Sequence, residues 1–345
     1  MEEKVTLVGK SLEWLENFML ENDQSKFRAK QVYNWLYLKS VKDYDSMTDL
    51  PLQARELLKE KTRLCSINIK DKQISKDGTI KYLFEHFDGT FAEAVLMRFD
   101  NRANLTACIS TQVGCPMGCS FCATAKLGFT RNLDAEEIIQ QIFLIQSDTG
   151  LKVTNIVYMG QGEPLLNFDN LIKSIKIFRE QFQIGARRIT VSTCGLIPQI
   201  KKLADLDFQS TLAISLHAPN QQKRAEIMPV ANKYKFDELI SALKNYTETT
   251  GRRVTIEYVL MRGINDGIDD AKQLAIAISK LKSNVNLIVY NQNEKSEFKK
   301  PSKEAIQKFK YILEASGKKV TIRLERGADI DAACGQLSAK MKKLN

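Results

Sequence analysis

Histidine and long hydrophobic runs are both scarce in this sequence. Only two of its 345 residues are histidines, His86 and His217, so a metal site would have few imidazole ligands. The N-terminal stretch MEEKVTLVGKSLEWLENFML carries a charge every few positions, which excludes a signal peptide and a membrane span. Low-complexity tracts are missing as well, and prolines number only seven. We therefore expect an ordinary globular protein of the cytoplasm that does not contact a membrane.

Cysteines and basic residues, by contrast, are well represented. Seven cysteines in a cytosolic protein should stay reduced, which favours metal binding or catalysis over a disulfide framework. The 51 Lys and Arg residues outnumber the 41 Asp and Glu residues and give a net charge of +10. This excess suits a polyanionic partner such as nucleic acid, and a solvated basic surface explains it equally well.

The rhythm of apolar residues divides the chain into three parts. Helical spacing from Ser11 to about Lys61 predicts a small helical domain over residues 1–64. Alternating residues with KDGT and FDGT turns predict a β-rich connecting extension over residues 65–100. Residues 101–345 alternate apolar runs with helical patterns, which is typical of parallel βα units in an α/β fold. The predicted strands are LTACIST, NIVYMG, RITVST, TLAISLH, VTIEYVL, NLIVYN and VTIRLE.

Unusual residues follow these strands at their carboxyl ends. GCPMGCSFC comes after the first strand, GQGEP after the second and SLH after the fourth, while Ser192 ends the third and Asn291 follows the sixth. Parallel strands bring such residues to one rim, where α/β enzymes bind their ligands. Taken singly, a serine or asparagine at such a position more often caps the next helix.

Cys115, Cys119 and Cys122 form a C-x3-C-x2-C motif. Thiolates at this density repel one another unless a metal neutralises them. A structural zinc site needs four ligands, usually as two pairs, and neither histidine is near in sequence. Three ligands on a four-iron cluster leave one iron open for a substrate, so the motif favours an iron-sulfur cluster, with zinc as the alternative.

The motifs together resemble one family. The C-x3-C-x2-C spacing is that of the radical S-adenosylmethionine (SAM) superfamily. CISTQVGCPMGCSFCATAKLGFTRNL, YMGQGEPLLN, SLHAPN, MPVANKYKFDELI, VTIEYVLMRGINDG and DIDAACGQL closely resemble the bacterial dual-specificity adenine-carbon-2 RNA methyltransferases, as do FRAKQVYNWLY and MTDLP near the start. The resemblance implies a radical-SAM partial (β/α)6 barrel with an N-terminal helical accessory domain that contacts RNA.

The resemblance also implies roles for individual residues. Cys115, Cys119 and Cys122 would bind one 4Fe-4S cluster, Cys334 would be the acceptor that is itself methylated, Cys108 its resolving partner and Glu93 a proton-handling residue. The implied contacts to SAM are Gly162, Glu163, Ser192, Ser215, Leu216, His217 and Asn291. Gln161 and Cys194 depart from the methionine and serine that are usual in the family, which leaves fine cofactor packing open. For Cys65 and Cys194, a buried apolar role is the simpler interpretation.

The reaction implied by the resemblance uses two molecules of SAM. One methylates Cys334, and the second yields a radical that activates this methyl group for addition to carbon 2 of an adenine in 23S ribosomal RNA or next to the anticodon in tRNAs. Cys108 then releases the product and leaves a disulfide. The family implies reduced flavodoxin or ferredoxin as electron donor, and a monomer is expected.

Three other interpretations remain open at this stage. The same parts occur in a paralogous enzyme that methylates carbon 8 of a ribosomal adenine and confers antibiotic resistance. A non-catalytic RNA-binding protein with a structural metal site would have no use for Cys334 and Cys108. A radical enzyme acting on a small metabolite or peptide would not account for the basic surface.

Overall fold

The computed structural model describes residues 4–98, 104–206, 208–291, 297–323 and 325–338. Its N-terminal part contains the three predicted helices, α1 (Leu12–Glu21), α2 (Phe27–Tyr37) and α3 (Leu52–Lys61). The Ser11 hydroxyl accepts a hydrogen bond from the Trp14 amide and so caps α1, and Pro51 precedes α3. Two short parallel strands, β1 (Val5–Thr6) and β2 (Thr62–Arg63), join the two ends of this part.

The predicted antiparallel extension is present as β3 (Ile67–Ile74), β4 (Ile80–His86) and β5 (Phe91–Arg98). The two glycines of the KDGT and FDGT turns have positive φ angles, as tight turns require. Alternation gives the extension two faces. Tyr82 and Phe84 point into the main core, whereas Lys81 and Leu83 lie on the opposite face of the same strand.

The rest of the chain alternates strands and helices. In chain order they are β6 (Leu105–Cys108), β7 (Gln112–Gly114), β8 (Phe129–Asn132), α4 (Ala135–Thr149), β9 (Asn155–Tyr158), α5 (Phe168–Glu180), β10 (Ile189–Thr193), α6 (Ile197–Asp205), β11 (Thr211–Ser215), α7 (Gln221–Ile227), α8 (Val230–Lys233), α9 (Phe236–Thr250), β12 (Val254–Leu260), α10 (Ile268–Ala277), β13 (Ser283–Val289), α11 (Lys303–Ala315) and β14 (Lys319–Arg323).

Ten of these strands form one open sheet in the order β14-β13-β12-β11-β10-β9-β6-β5-β4-β3. Strands β6 and β9 to β14 pair in parallel, and β5 joins β6 in antiparallel fashion. Six βα units followed by a seventh strand confirm the predicted α/β fold. The sequence did not predict the hairpin of β7 and β8, which brackets the cysteine motif. Among the described helices, none has the length and apolarity to cross a membrane.

Two apolar clusters hold the fold together. The larger is continuous from the N-terminal helices through the helices that flank the parallel strands. The smaller joins Val95 and Cys108 of the sheet to Ile330, Ala332 and Leu337. These last three residues belong to residues 325–338, which we call the C-terminal segment. The segment therefore covers the sheet where the antiparallel extension meets the parallel strands.

Candidate active site

The cysteine motif lies in a loop that the backbone holds tightly at its start. The Cys115 amide donates a hydrogen bond of 2.7 Å to the Gly128 carbonyl across the β7–β8 hairpin. Gly114 has a φ of +75°, and a Cβ there would lie 2.0 Å from the same carbonyl. Only glycine fits at this position, so the hairpin fixes the point at which the loop of three cysteines begins.

All three motif cysteines line one cavity of about 980 Å³, counted to its open mouth. The same cavity is lined by Glu163, Ser192 and His217, so the thiols share it with polar groups from three other loops.

The GQGEP loop forms one wall of this cavity. Gly162 has a φ of +103°, and a Cβ there would lie 2.6 Å from the Gln112 side chain, so glycine is needed for the loop to pack against β7. The buried Glu163 carboxylate accepts hydrogen bonds from the amides of Leu165 at 3.0 Å and Cys194 at 2.7 Å. Burial raises the pKa of Glu163, and these amides oppose that rise. Its remaining lone pairs can accept from a ligand ammonium.

His217 also lines this cavity, and its neighbours determine its protonation state. The Val259 amide donates to His217 Nδ1 at 3.1 Å, which leaves the proton on Nε2 as a donor. Burial, followed by the nearby Arg224 charge, lowers the pKa of His217 to about 3. The ring meets Phe121 of the cysteine motif edge-on at 5.1 Å, so the motif and the SLH turn are in direct contact.

Ser192, Ser215 and Asn291 complete this cavity. The two serine hydroxyls lie 3.4 Å apart on neighbouring strands. Asn291 Oδ1 is buried without a hydrogen-bond partner, which suits an atom that awaits a donor from a ligand. Leu216 is fully buried and does not line the cavity; its carbonyl accepts from Arg224 Nε at 3.2 Å. Thiols, a carboxylate, hydroxyls and an orphan amide oxygen fit a thiolate-bound cluster with SAM beside it.

Cys334 lies between this cavity and a second one of about 730 Å³. The two cavities share Cys122, Met159, Asn291 and Cys334 among their walls, whereas Cys108 lines only the smaller. Cys334 is exposed and Cys108 is buried. Burial, followed by the nearby Cys334 charge, raises the pKa of Cys108 to about 12.

Arg323, which the sequence analysis missed, connects the two thiols electrostatically. It ends β14 and lines both cavities, and its Nη1 lies 3.2 Å from Met159 Sδ. The charge of Cys334 is the largest cause that raises the pKa of this guanidinium. A basic residue at a predicted strand end was the available signal.

Glu93 is buried and does not line either cavity. Its carboxylate forms an ion pair of 3.3 Å with Lys81, and both side chains are less than a tenth exposed. It lies on the same strand face as Val95 and Met97, which do line the smaller cavity. The Glu93 amide donates to Gln161 Oε1 at 3.3 Å, so the unusual glutamine contacts the strand that carries the glutamate.

The second departure from the family pattern is Cys194, which lies between Glu163 and the buried Arg224. Its amide donates to Glu163, and its carbonyl accepts from Arg224 Nη2 at 2.6 Å. Its thiol pairs with Cys119, which raises the pKa of Cys194. Arg224 is fully buried and also holds the carbonyls of Ser215 and Leu216. No sequence pattern indicated the role of Arg224, because one arginine in an amphipathic helix usually faces solvent.

Two family models match separate parts of this chain. The Radical SAM superfamily model matches residues 109–275, and a ribosomal RNA large subunit methyltransferase N-terminal domain model matches residues 5–64. A probable dual-specificity RNA methyltransferase RlmN from Alkaliphilus oremlandii is 48% identical over 98% of each chain. One from Thermotoga neapolitana is 48% identical over 92% of each. A radical SAM methyltransferase crystal structure from Sphaerobacter thermophilus matches with a TM-score of 0.91 and 42% identity, over 97% of this chain and 100% of that one. This chain belongs to the dual-specificity RNA methyltransferase family of the radical SAM superfamily.

Proposed function

We propose that this enzyme methylates carbon 2 of an adenine in 23S ribosomal RNA and of the adenine next to the anticodon in tRNAs, with Cys334 as the carrier of the methyl group. The position of Cys334 between two cavities carries this proposal. One cavity holds the groups suited to SAM, and the other has the buried thiol of Cys108 in its wall. A carrier between a donor site and an acceptor site needs this placement.

Carbon 2 of adenine explains why a carrier is needed at all. It lies between two ring nitrogens and is electron-poor, so an electrophilic methyl group does not add to it by ordinary displacement. A cluster bound by Cys115, Cys119 and Cys122 would supply the electron for radical chemistry with SAM. Glu163, Ser192, Ser215, His217 and Asn291 are the residues positioned to hold SAM beside it, with the Gly162 backbone as a further contact.

Cys334 first acts as a nucleophile. Its sulfur, as the thiolate, attacks the methyl carbon of SAM, the bond from that carbon to the sulfonium sulfur breaks, and S-adenosylhomocysteine leaves. The Arg323 guanidinium lines the same two cavities as Cys334. The exposure of Cys334 leaves it accessible to SAM from one cavity and to a base in the other. The nucleophile and the donor therefore meet without movement of the parallel strands.

Glu93 and Cys108 act after the carbon–carbon bond has formed. The adduct radical would lose one electron, which a bound cluster would accept, as Glu93 takes the proton from carbon 2. Cys108 then attacks the Cys334 sulfur, which forms the S–S bond and breaks the bond to the methylene carbon, and that carbon takes up a proton to become the methyl group of the released base. The disulfide formed between the two cysteines must then be reduced. Burial raises the pKa of Cys108 to about 12, so this thiol stays protonated and unreactive until the adduct changes its surroundings.

RNA must present an unpaired adenine to this site. A stacked base cannot place its edge in a rim cavity, so a single-stranded loop suits the site better than a duplex. The net charge of +10 favours binding of the surrounding phosphates, to which the N-terminal helices would contribute. We place the reaction in the cytoplasm, with a flavodoxin or ferredoxin as reductant and a monomeric enzyme.

The test is reconstitution with iron and sulfide without oxygen, followed by incubation with SAM, reductant and either ribosomal RNA or tRNA. Mass spectrometry of the digested nucleosides should reveal 2-methyladenosine from both RNAs. Formation of 8-methyladenosine would instead identify the carbon-8 activity. Absence of any methylated adenosine from a cluster-loaded enzyme would overturn the proposal.

Two variants separate the roles of the transfer cysteines. Cys108→Ala should accumulate protein crosslinked to RNA, because the adduct forms but cannot be released. Cys334→Ala should form no crosslink. Free turnover by either variant would contradict the assigned roles.

A further inference from the structure

We infer that Lys81 is a positioning residue that holds Glu93 for proton removal and links it to the segment that carries Cys334. The inference rests on the proposed function, because it requires Glu93 to act on the RNA adduct. Its structural basis is a buried ion pair at the edge of the C-terminal segment. The Lys81 ammonium lies 3.3 Å from Glu93 Oε1 and 3.4 Å from the carbonyl oxygen of Asp331.

The register of the extension places Lys81 and Glu93 on one face. Lys81 on β4 is paired with Val95 on β5, and Leu83 is paired with Glu93. Lys81 and Glu93 are therefore diagonal neighbours across the two strands, within reach of a long side chain. Val95 on the same face packs against Ile330 and Ala332 of the C-terminal segment. The ion pair therefore lies next to the C-terminal segment, which carries Cys334.

Burial makes each charge dependent on the other. Side-chain exposure is 7% for Lys81 and 1% for Glu93, and an isolated charge at such a site would be strongly disfavoured. An ammonium donates three hydrogen bonds and accepts none, so a carboxylate and a carbonyl are suitable partners. Both contacts are longer than the 2.7–2.9 Å usual for charged pairs, which leaves the ammonium room to shift between them.

The position of Asp331 gives the carbonyl contact a specific use. Asp331 has a φ of +52°, a left-handed conformation that ordinary side chains adopt at a cost. It lies three residues before Cys334. Lys81 thus contacts both the proposed base and the bend that orients the carrier, and one side chain couples the proton acceptor to the cysteine.

The test uses Lys81→Met, with Lys81→Arg as the matched control that keeps the charge. In single-turnover reactions with cluster-loaded enzyme and tRNA, two steps are followed separately: methylation of Cys334, by peptide mass spectrometry, and resolution of the RNA adduct, by denaturing gel. Lys81→Met should methylate Cys334 normally and resolve the adduct about tenfold more slowly, because Glu93 loses the partner that holds it in place. Lys81→Arg should restore most of the rate.

A double variant distinguishes a positioning role from a structural one. If Lys81 acts through Glu93, adding Lys81→Met to Glu93→Gln should slow resolution no further. The double variant also removes both buried charges, so it folds even if Lys81→Met alone does not. Resolution as fast in Lys81→Met as in the wild type, or additive losses in the double variant, would overturn the inference. Normal resolution by Glu93→Gln alone would instead refute the proposed role of Glu93.

Discussion

The C-terminal segment and the cofactor wall are built in opposite ways. By the cofactor wall we mean the polar lining of the larger cavity, Glu163, Ser192, Ser215, His217 and Asn291. The groups suited to SAM lie at the ends of parallel strands and are held by backbone hydrogen bonds and buried packing, as Glu163 and His217 illustrate. Cys334 instead lies on irregular backbone in which Gly327, Asp331 and Gly335 all have positive φ angles. The segment is tied down by side chains of the antiparallel extension, among them Ser75, Asp77 and Lys81.

The contrast follows the chemistry that each region performs. A cluster and SAM must sit in one place, so their site is built on strands that cannot shift independently. Under the proposed function, Cys334 must react in turn with SAM, a base and Cys108, which an irregular segment accommodates more easily. The two family models cover residues 5–64 and 109–275, and Glu93, Cys108 and Cys334 all lie outside them.

Removal of one cysteine from each region should have the largest effects and should separate the two regions most clearly. Cys119→Ser should abolish product and lose bound iron and sulfide, because two thiolates do not retain the cluster. Cys334→Ala should abolish product equally and keep its iron. Iron and acid-labile sulfide assays on both variants check this, with Cys65→Ser as the control, since Cys65 lines neither cavity. Iron loss in Cys334→Ala would mean that the two regions are not separate.

Within the cofactor wall, Glu163→Gln should weaken SAM binding by about tenfold to a hundredfold without loss of iron. The amide removes the negative charge and places a donor against the amide of Leu165 or Cys194, which now meet a carboxylate oxygen. Equilibrium binding of SAM to the cluster-loaded protein measures the effect. Glu136→Gln is the control, because Glu136 does not line the cavity and pairs with Lys10, with both side chains about a quarter exposed. Equal affinity in both variants would remove Glu163 from the SAM contacts.

His217 should make the stability of the cofactor wall sensitive to acid. Its pKa falls from 6.5 to about 3 on folding, so the folded state resists a proton that the unfolded chain accepts. Its contribution is complete above pH 6.5 and is lost as the pH falls towards 3. Between pH 7 and pH 5 the wild type should lose about 2 kcal/mol more unfolding free energy than His217→Gln. Urea denaturation at the two pH values tests this, and parallel losses would contradict it.

Much of the cofactor wall could be predicted from the sequence because its residues follow regular strands. A strand end, a glycine turn and three closely spaced cysteines are local patterns, and the parallel fold brings them together. Lys81 and Arg224 could not be found in this way. Both are buried by elements distant in sequence, and a lysine or arginine within a strand or helix normally indicates a solvated face. The β7–β8 hairpin was missed because Gln112–Gly114 is too short to show alternation.

The smallest expected effect concerns the hold of the extension on the C-terminal segment. The Gly327 amide donates to Asp77 Oδ2 at 3.0 Å, and the Thr79 amide donates to Oδ1 at 2.9 Å. Burial works against ionisation of Asp77, but the hydrogen bonds from Thr79 and Gly327 outweigh it and lower the pKa to about 2.

Asp77→Asn leaves one of these amides without an acceptor. The loss should appear locally as faster hydrogen exchange at Gly327 and its neighbours, by about threefold to tenfold, because the other polar contacts of the segment lie at other residues. The urea midpoint should barely change. Asp71→Asn is the matched control on the same hairpin, since its carboxylate accepts from the adjacent Lys72 amide. Unchanged exchange in Asp77→Asn would show that the Asp77 carboxylate does not hold the start of the segment, and the distinction between a strand-built wall and a side-chain-tethered carrier would then be weakened at this point.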